Sequence, residues 1–559
     1  MTPVRSKRAA LSRAGSSPQY PRLPRWPSPQ YQRLPRWSSP QCRWLPRWPF
    51  PAVPAAAALT FAAVPAAAAL VFPRERGLEQ HLSIIVIGGG PAGLMAAGRA
   101  AELGARVLLL EKTVRPGQKL LRTGNGRCNF TNDRDVSGLV AGLPGNGPFL
   151  FRPLIHLDSS GLRQFFRQLG IDSFADEEGR VFPLSQRASD VLEALLRHLA
   201  EKGVTILPLT RAVEIVKDTA GQIKGVKIVQ KAPPWQGESS FIPARRIILA
   251  TGGASYPGTG SSGDGYQLAA ALGHRIIEPR PGLVPLRTVE PWVAQLAGVA
   301  LPDVLVTLSL VQAGSAPFVT RSSKGLPGSR GKSDSVKRRG SLLFTHFGLS
   351  GPVILDLSRW VSVASSAASA AAPSASSAAA PSASAAATSS AAGSSAASSA
   401  SPPATVSIDL FPDLTLESLA ERLNALLTRP GHRQLQSSLA VILPKRLVPF
   451  LLTQAGLSPT DQAAQLPRAQ RQRLAQVLKA FTLSIEGTLP LAAAMVTVGG
   501  VDTAEIDPKT LQSRLLPGLY FAGEIMDVDG YSGGYNLQAA FSSGFLAGEQ
   551  AALTGADGR

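Results

Sequence analysis

The sequence feature that most constrains the fold is a glycine pattern that follows a short apolar run. Residues 84–87 are all Ile or Val, and Gly88, Gly90 and Gly93 follow with the spacing G-x-G-x-x-G. An apolar strand, this pattern and a helix are together typical of a dinucleotide-binding βαβ unit. The first glycine permits a tight turn, the second lets a pyrophosphate approach the backbone, and the third lets the helix pack on the strand. The sequence therefore predicts an α/β domain that binds a dinucleotide.

An acidic residue at a suitable distance narrows the choice of dinucleotide. The next apolar run ends at Glu111, 18 residues after Gly93. A carboxylate at this point accepts hydrogen bonds from ribose hydroxyls and disfavours a 2′-phosphate. We therefore expect FAD or NAD rather than NADP.

A second G-x-G-x-x-G match, at Gly258, Gly260 and Gly263, has a different context. It begins eight residues after the predicted strand end at Ala250. We interpret it as a glycine-rich loop that precedes a helix. The alternative is a loop that lies beside the flavin or the substrate.

Three further segments favour FAD over NAD. Residues 115–129 form a loop rich in glycine and cations, whose amides, with Lys119 and Arg127, suit an isoalloxazine ring or a phosphate. A predicted strand leads directly into Thr251 and Gly252. In FAD-binding folds, a strand end of this kind passes the adenine side of the cofactor.

The third segment lies near the carboxyl terminus. A predicted strand ends at Gly523 and Glu524, and Glu524 is a candidate ligand of the ribityl hydroxyls. A predicted helix then begins after Gly534, and its amino terminus would stabilise negative charge at N1–C2=O of reduced flavin. The predicted cofactor contacts are Gly88, Gly90, Pro91, Ala92, Gly93, Glu111, Lys112, Lys119, Gly126, Arg127, Cys128, Asn129, Thr251, Gly252, Gly523, Glu524, Gly533, Gly534, Tyr535, Asn536 and Leu537.

The sequence contains few candidates for catalytic side chains, because a flavin would perform the hydride chemistry. His346, just before a Gly-Leu-Ser-Gly-Pro loop, is a candidate acid or base; the alternative is a hydrogen-bonded structural histidine. The chain has two cysteines, Cys42 and Cys128, and no C-x-x-C pair, so we expect neither disulfide-reductase chemistry nor a Cys-rich metal site. The six histidines are not closely paired in the sequence, so we expect no metal site built from histidine ligands.

Taken together, these motifs resemble the BaiN/RdsA-type flavoproteins, also called YhiN-like or aminoacetone-oxidase-family proteins. The resemblance rests on residues 84–132, 344–352, 496–501 and 518–548, and it covers roughly residues 81–553. It implies a Rossmann-like FAD-binding domain in two segments, an inserted β-barrel-like domain and a small helical domain. It also implies FAD-dependent oxidoreduction, with a substrate that differs between members.

Three segments lie outside this pattern. Residues 1–80 contain an 11-residue repeat and are rich in proline and arginine, which predicts a disordered tail; a targeting segment, or a contact with RNA or anionic lipid, is the alternative. Residues 321–340 and 362–403 have low complexity, and we expect them to be insertions in loops. Residues 51–72 are apolar, but they are rich in alanine and contain three prolines, so we expect no membrane span.

The net charge of +20 is unevenly distributed. Sixteen of these charges fall in residues 1–80 and 321–340, so the remaining chain is close to neutral. We therefore expect a small-molecule substrate and no specific nucleic-acid partner.

These observations predict an α/β flavoprotein in five parts. Its divisions are a tail at 1–80, a first Rossmann segment at 81–210, a strand-rich region at 211–411, a helical domain at 412–480 and a second Rossmann segment at 481–559. We expect hydride transfer between FAD and a small organic substrate in either direction, with NAD(P)H as a transient partner, in the cytoplasm. The alternatives are a flavin-containing RNA- or membrane-associated binding protein that uses its basic tail, and an organellar or membrane-associated location.

Overall fold

The computed structural model describes residues 83–230, 239–310, 335–371, 404–429 and 433–554. The predicted disordered tail at 1–80 and the larger part of both predicted insertions lie outside the described residues. The strands are β1 Ser83–Ile87, β2 Arg106–Leu110, β3 Thr131–Asn132, β4 Ser173–Ala175, β5 Arg180–Pro183, β6 Thr205–Leu207, β7 Thr210–Lys217, β8 Ile223–Gln230, β9 Ser240–Pro243, β10 Arg246–Leu249, β11 Ile276–Gly282, β12 Leu286–Thr288, β13 Ala300–Leu310, β14 Ser335–Thr345, β15 Gly348–Ser350, β16 Ala404–Asp409, β17 Phe481–Thr488, β18 Val496–Val501 and β19 Leu519–Phe521.

The α-helices alternate with these strands in the first segment and cluster between β16 and β17. They are α1 Pro91–Glu102, α2 Val136–Ala141, α3 Phe151–His156, α4 Ser159–Gln168, α5 Ala188–Glu201, α6 Asp264–Ala271, α7 Pro352–Ala371, α8 Leu416–Leu427, α9 Leu435–Leu439, α10 Val448–Ala455, α11 Arg468–Lys479 and α12 Tyr535–Leu553. None of the described helices is both long and apolar enough to cross a membrane.

A parallel five-stranded sheet carries the glycine pattern. Its strand order is β19-β10-β1-β2-β6, so the central strand β1 lies between β10 and β2. Residues 84–87 are buried, as expected for a parallel strand covered on both faces. Because β19 joins the sheet from the carboxyl-terminal part of the chain, two distant segments build one Rossmann-like domain.

The last helix, α12, packs against α1 and holds the two segments together. Gly544 and Gly548 lie one turn apart on α12, and a side chain at either position would overlap the backbone of α1 at Ala92 or Ala96. The close approach therefore requires glycine at both positions.

A closed six-stranded barrel forms the second large part, with the order β12-β15-β14-β13-β16-β17. Its interior is filled by apolar side chains such as Leu308, Phe344 and Val406. Residues of the helices α8–α11, including Leu423 and Leu474, belong to the same core. The predicted fold class is confirmed for the described residues; the domain boundaries stay a prediction.

The structure corrects the predicted limits of both insertions. Residues 335–340, predicted to be loop, belong to β14, where Val336 pairs with Leu308 of β13 and Lys337 pairs with Thr307. Residues 362–371, also predicted to be loop, continue α7. The physical reason is that partner strands stabilise even a basic strand, while alanine is the best helix former and no proline interrupts residues 353–372.

Candidate functional site

The carboxyl ends of the parallel strands border a large cavity. It contains about 1400 Å³ of empty space, part of it open to solvent. The residues around it come from both Rossmann segments. Those predicted from the sequence that line it are Gly88, Gly90, Pro91, Ala92, Glu111, Lys112, Lys119, Thr251, Gly252, Gly523, Glu524, Asn536 and Leu537.

The glycine pattern shapes the middle of this cavity. Gly88 has φ +107°, and a side chain there would overlap Ala250 on the neighbouring strand. Gly90 faces open space, with no atom within 4 Å of the position that a Cβ would occupy. The first turn of α1 carries no acidic residue and no side-chain cap, so its N–H groups and partial positive charge face the cavity unopposed. These features fit a pyrophosphate.

At one end of the cavity, which we call the adenosine end, the glutamate that follows β2 is fixed by backbone N–H groups. Gly89 N donates to Glu111 Oε2 at 2.8 Å, and Thr113 N donates to Oε1 at 2.7 Å. Each carboxylate oxygen retains a further lone pair, so Glu111 is oriented to accept ribose hydroxyls.

Two cations lie beside this end and share one acid. Lys112 Nζ and Arg211 Nε each lie 3.0 Å from Asp264 Oδ2. Burial alone would raise the pKa of Asp264, but hydrogen bonds from Ser262 and Lys112 hold it below the ordinary value. Arg211 and Asp264 were not predicted as site residues, because neither belongs to the glycine pattern.

A buried hydroxyl gives independent support for a ligand. Thr251 Oγ1 is buried at the cavity wall and has no hydrogen-bond partner among the described residues. Buried polar groups in native proteins are nearly always hydrogen-bonded. The residues present therefore fit a dinucleotide such as FAD.

At the opposite end, which we call the flavin end, two predicted cofactor contacts bind each other. Lys119 Nζ lies 2.7 Å from Glu524 Oε2 and 3.1 Å from Oε1, although the residues are 405 positions apart. Ser255 Oγ accepts from Lys119 at 2.8 Å and donates to Glu524 Oε1 at 3.1 Å. Thr497 N donates to the same oxygen at 2.8 Å. The expected ribityl ligand, Glu524, is thus already engaged by protein groups.

The loop that follows β19 forms the wall behind the flavin end. Met526 and Val528 line the cavity, while the intervening acids are held by other groups. Asn146 Nδ2 donates to Asp527 Oδ2 at 3.0 Å, and Arg359 Nε donates to Asp529 Oδ2 at 2.6 Å. Burial, together with the charge of Asp529, raises the pKa of Asp527 to about 6.

Two further contacts hold the same loop. The amide of Asn536 donates to Gly530 O and accepts from Gly530 N, each at 2.8 Å. From α7, Asp356 Oδ1 accepts from Ser532 N at 2.7 Å. Burial raises the pKa of Asp356 to about 6.

Some predicted cofactor contacts are not among the residues that line the cavity. Gly93 lies beneath it, where a side chain would overlap Gly88 O, as the predicted helix–strand packing requires. The others are Gly126, Arg127, Cys128, Asn129, Gly533, Gly534 and Tyr535.

The predicted cofactor contact Cys128 and the candidate acid or base His346 are not among the residues that line the cavity. Cys128 is fully buried, and burial raises the pKa of its thiol to about 12. His346 is exposed at the turn between β14 and β15, where its ring contacts Phe347. Its acid–base role stays a prediction.

The loop with the second glycine pattern both precedes α6 and lines the cavity, through Thr259, Gly260 and Ser261. A side chain at Gly260 would lie 2.9 Å from Thr113, which places the loop at the adenosine end. Among the described residues, no group of three or more His, Cys, Asp or Glu side chains is arranged to hold a metal ion.

A comparison with known proteins shows which protein family the sequence matches. The model of the HI0933-like protein Rossmann domain matches residues 82–550. Over 468 residues, the chain is 31% identical to the "Ribosomal RNA dihydrouridine synthase" of Escherichia coli, covering 83% of this chain and 96% of that protein. Over 470 residues, it is 30% identical to the "3-dehydro-bile acid delta(4,6)-reductase" of Clostridium scindens, covering 84% and 98%. Among solved structures, 3-ketosteroid delta1-dehydrogenase from Sterolibacterium denitrificans has 13% identity and a TM-score of 0.44 over 85% of this chain and 100% of that chain.

Proposed function

The chain belongs to the HI0933-like family and is a flavin-dependent oxidoreductase, and from this premise we propose that it reduces a carbon–carbon double bond conjugated to a carbonyl group. The observation that carries the proposal is the continuous cavity, which joins a pyrophosphate cradle to a polar flavin end. A bound flavin would supply the hydride, and the protein orients the reactants.

The chemistry shared by the two relatives supports this class of reaction. The name of the first describes the saturation of a uridine ring, and the name of the second describes the reduction of double bonds in a 3-keto steroid skeleton. In both substrates the double bond is conjugated to a carbonyl, so the carbon distant from the carbonyl accepts a hydride and the adjacent carbon accepts a proton. A conjugated carbonyl compound is therefore the substrate class that we propose for this chain.

Each part of the cavity has a defined task in this proposal. The first turn of α1 and Gly90 bind the pyrophosphate, and Glu111 binds the adenosine ribose. The loop after β19 covers the flavin end. The sequence has one dinucleotide fingerprint in the appropriate context, so we propose NAD(P)H as an electron donor that visits transiently.

The test is anaerobic turnover by the purified full chain. The protein is expected to be yellow, to be reduced by NADH or NADPH, and to be reoxidised by a conjugated ketone with the gain of two hydrogen atoms in the product. A 3-keto-Δ4 steroid, free uridine and a ribosomal RNA transcript without modifications are compared as acceptors. A colourless protein that takes up no FAD, or a reduced protein that none of the acceptors reoxidises, would contradict the proposal.

The transcript also tests the expected absence of a specific nucleic-acid partner. Two relatives carry the name of a ribosomal RNA dihydrouridine synthase, and this observation favours RNA as the second candidate substrate. Reduction of the transcript, but not of free uridine or the steroid, would identify RNA, rather than a small molecule, as the substrate. Binding of RNA without reduction would instead favour the binding-protein alternative.

A further inference from the structure

Two lysines of the cavity wall are each paired with a carboxylate, at opposite ends. Lys112 Nζ lies 3.0 Å from Asp264, with side-chain exposures of 21% and 18%. Lys119 Nζ lies 2.7 Å from Glu524, with exposures of 22% for both. The two pairs are similar in burial and charge, which makes one a natural control for the other.

The sheet order places the second pair beside the flavin half of a bound FAD. In the order β19-β10-β1-β2-β6, the ends of β2 and β19 lie on opposite sides of β1, the strand that leads into α1. With the adenosine ribose on Glu111 and the pyrophosphate on α1, the rest of the cofactor must run towards β10 and β19. Among the residues lining the cavity, the charged side chains at that end are Lys119 and Glu524.

The hydrogen bonds distinguish the two partners. The Glu524 carboxylate, which has about four acceptor sites, receives Lys119 Nζ, Ser255 Oγ and Thr497 N. The Lys119 ammonium has three donors, and two protein groups hold it, the Glu524 carboxylate and the Ser255 hydroxyl. With one N–H shared between the two carboxylate oxygens, at 2.7 and 3.1 Å, one donor of Lys119 remains for a group in the cavity, whereas four contacts fill the acceptor sites of the carboxylate.

We propose that Lys119 contacts the polar edge of the isoalloxazine ring, and that Glu524 is a positioning residue that holds Lys119 there rather than a ligand of the ribityl hydroxyls. This inference rests on the proposed use of FAD. A fixed cation at this edge stabilises the negative charge that the ring gains on reduction, and it therefore raises the midpoint potential of the bound flavin.

The immobilisation of the lysine supports this role. Glu524 at the end of β19, buried Ser255 and Thr497 of β18 come from three separate parts of the chain and converge on one ion pair. Partly buried ion pairs contribute little net stability because their desolvation offsets the attraction. An arrangement that fixes one charged atom from several elements is typical of a functional position.

The experiment compares Lys119→Met, Lys119→Arg, Glu524→Gln and the control Lys112→Met in the full chain. Two quantities are measured: the FAD dissociation constant, from quenching of flavin fluorescence, and the midpoint potential of the bound flavin. The thermal unfolding of each apoprotein shows whether it folds.

We expect Lys119→Met to lower the midpoint potential and to weaken FAD binding about tenfold, the loss of roughly one charge-assisted hydrogen bond. Lys112→Met should weaken binding by a similar factor and leave the potential unchanged, because Lys112 lies at the adenosine end. Lys119→Arg should restore the potential. Glu524→Gln should weaken binding less than Lys119→Met does, since Glu524 acts through the lysine. Loss of all FAD binding by a folded Lys119→Met protein also supports the contact.

Two results would overturn the inference: an unchanged midpoint potential in Lys119→Met, or a greater loss of FAD affinity in Glu524→Gln than in Lys119→Met. If Lys119→Met does not fold, the midpoint potential of Lys119→Arg decides. A potential close to that of the wild type supports the inference, and a clearly different potential would overturn it. Failure of the wild-type chain to bind FAD would instead contradict the proposed function.

Discussion

The adenosine end and the flavin end of the cavity are built in different ways. The pyrophosphate cradle and the Glu111 carboxylate depend on one continuous βαβ unit, in which Gly89 N donates to Glu111 only 22 residues away. The flavin end depends on contacts between distant segments, such as Lys119 with Glu524 and Asn146 with Asp527. The cradle and Glu111 are therefore encoded locally, although Asp264 joins Lys112 from a later segment. The flavin end exists only after the barrel, α7 and the carboxyl-terminal segment have assembled.

The largest expected effect comes from breaking a long-range contact at the flavin end. Arg359→Met removes the guanidinium from Asp529, whose side chain is 3% exposed, and removal of one partner of a buried pair costs about 3–5 kcal/mol. Urea unfolding of the apoprotein measures the loss. As a control, Arg359→Met combined with Asp529→Asn should recover part of it, because no uncompensated charge then remains. A loss below about 1 kcal/mol, as for a surface pair, would show that the flavin end does not depend on this contact.

Substitutions in the glycine pattern test whether the pyrophosphate cradle is encoded locally. Gly93→Ala should destabilise the apoprotein by about 1–3 kcal/mol, the cost of overpacking, because its Cβ overlaps Gly88 O. Gly90→Ala is the matched comparison, since its Cβ meets open space: it should leave apoprotein stability unchanged and weaken FAD binding at least tenfold. Equal stabilities for the two variants would contradict the predicted packing, and undiminished FAD binding by Gly90→Ala would contradict the pyrophosphate cradle.

A smaller effect is expected from pH at the flavin end. The pKa of Asp527 is raised to about 6 by burial and by Asp529, so the folded state favours its protonated form. The stability that this group contributes is present below its unfolded pKa near 4 and is lost as pH rises through about 6.

Asp527→Asn, which mimics the protonated acid, should therefore stabilise the apoprotein by about 1–2 kcal/mol at pH 8 and have little effect at pH 4. Urea unfolding at both values measures this difference. Glu193→Gln, an exposed carboxylate on α5, is the control and should show no difference. Destabilisation by Asp527→Asn at pH 8 would mean that the ionised carboxylate stabilises the loop.

The smallest effect is expected at Cys128, which lies in the predicted flavin loop but is not among the residues lining the cavity. Cys128→Ala should change FAD affinity by less than about twofold and leave the flavin spectrum unchanged, because the thiol is fully buried outside the lining of the cavity. A displaced flavin absorption band would place the thiol beside the ring after all.

The sequence predictions succeeded for locally encoded elements and failed where contacts between distant segments decide the structure. The strands Ser83–Ile87 and Arg106–Leu110 coincide with the apolar runs that precede Gly88 and Glu111, because apolar runs and glycines determine them locally. The role of Arg359 could not be predicted, since the orientation of α7 against the loop after β19 depends on tertiary packing. The limits of the insertions were wrong for a related reason: strand partners for residues 335–340 come from elsewhere in the barrel.

The predicted partners of charged residues show this limit most clearly. Lys119 and Glu524 were each expected to contact the cofactor, but no sequence pattern indicates that they bind each other. Likewise, Asn536 lines the cavity as predicted, although its amide is occupied in holding Gly530. Residue types and spacing predicted which segments meet at the cavity, but not how their polar groups are shared.

The central claim, that this cavity binds FAD across both ends, is tested most directly by titrating the apoprotein of the full chain with FAD while flavin fluorescence is recorded. We predict saturable binding of one FAD per chain, with affinity reduced at least tenfold by Gly90→Ala, in the pyrophosphate cradle, and about tenfold by Lys119→Met, at the flavin end. Absence of saturable binding by the wild-type chain, or binding that neither substitution weakens, would contradict the account.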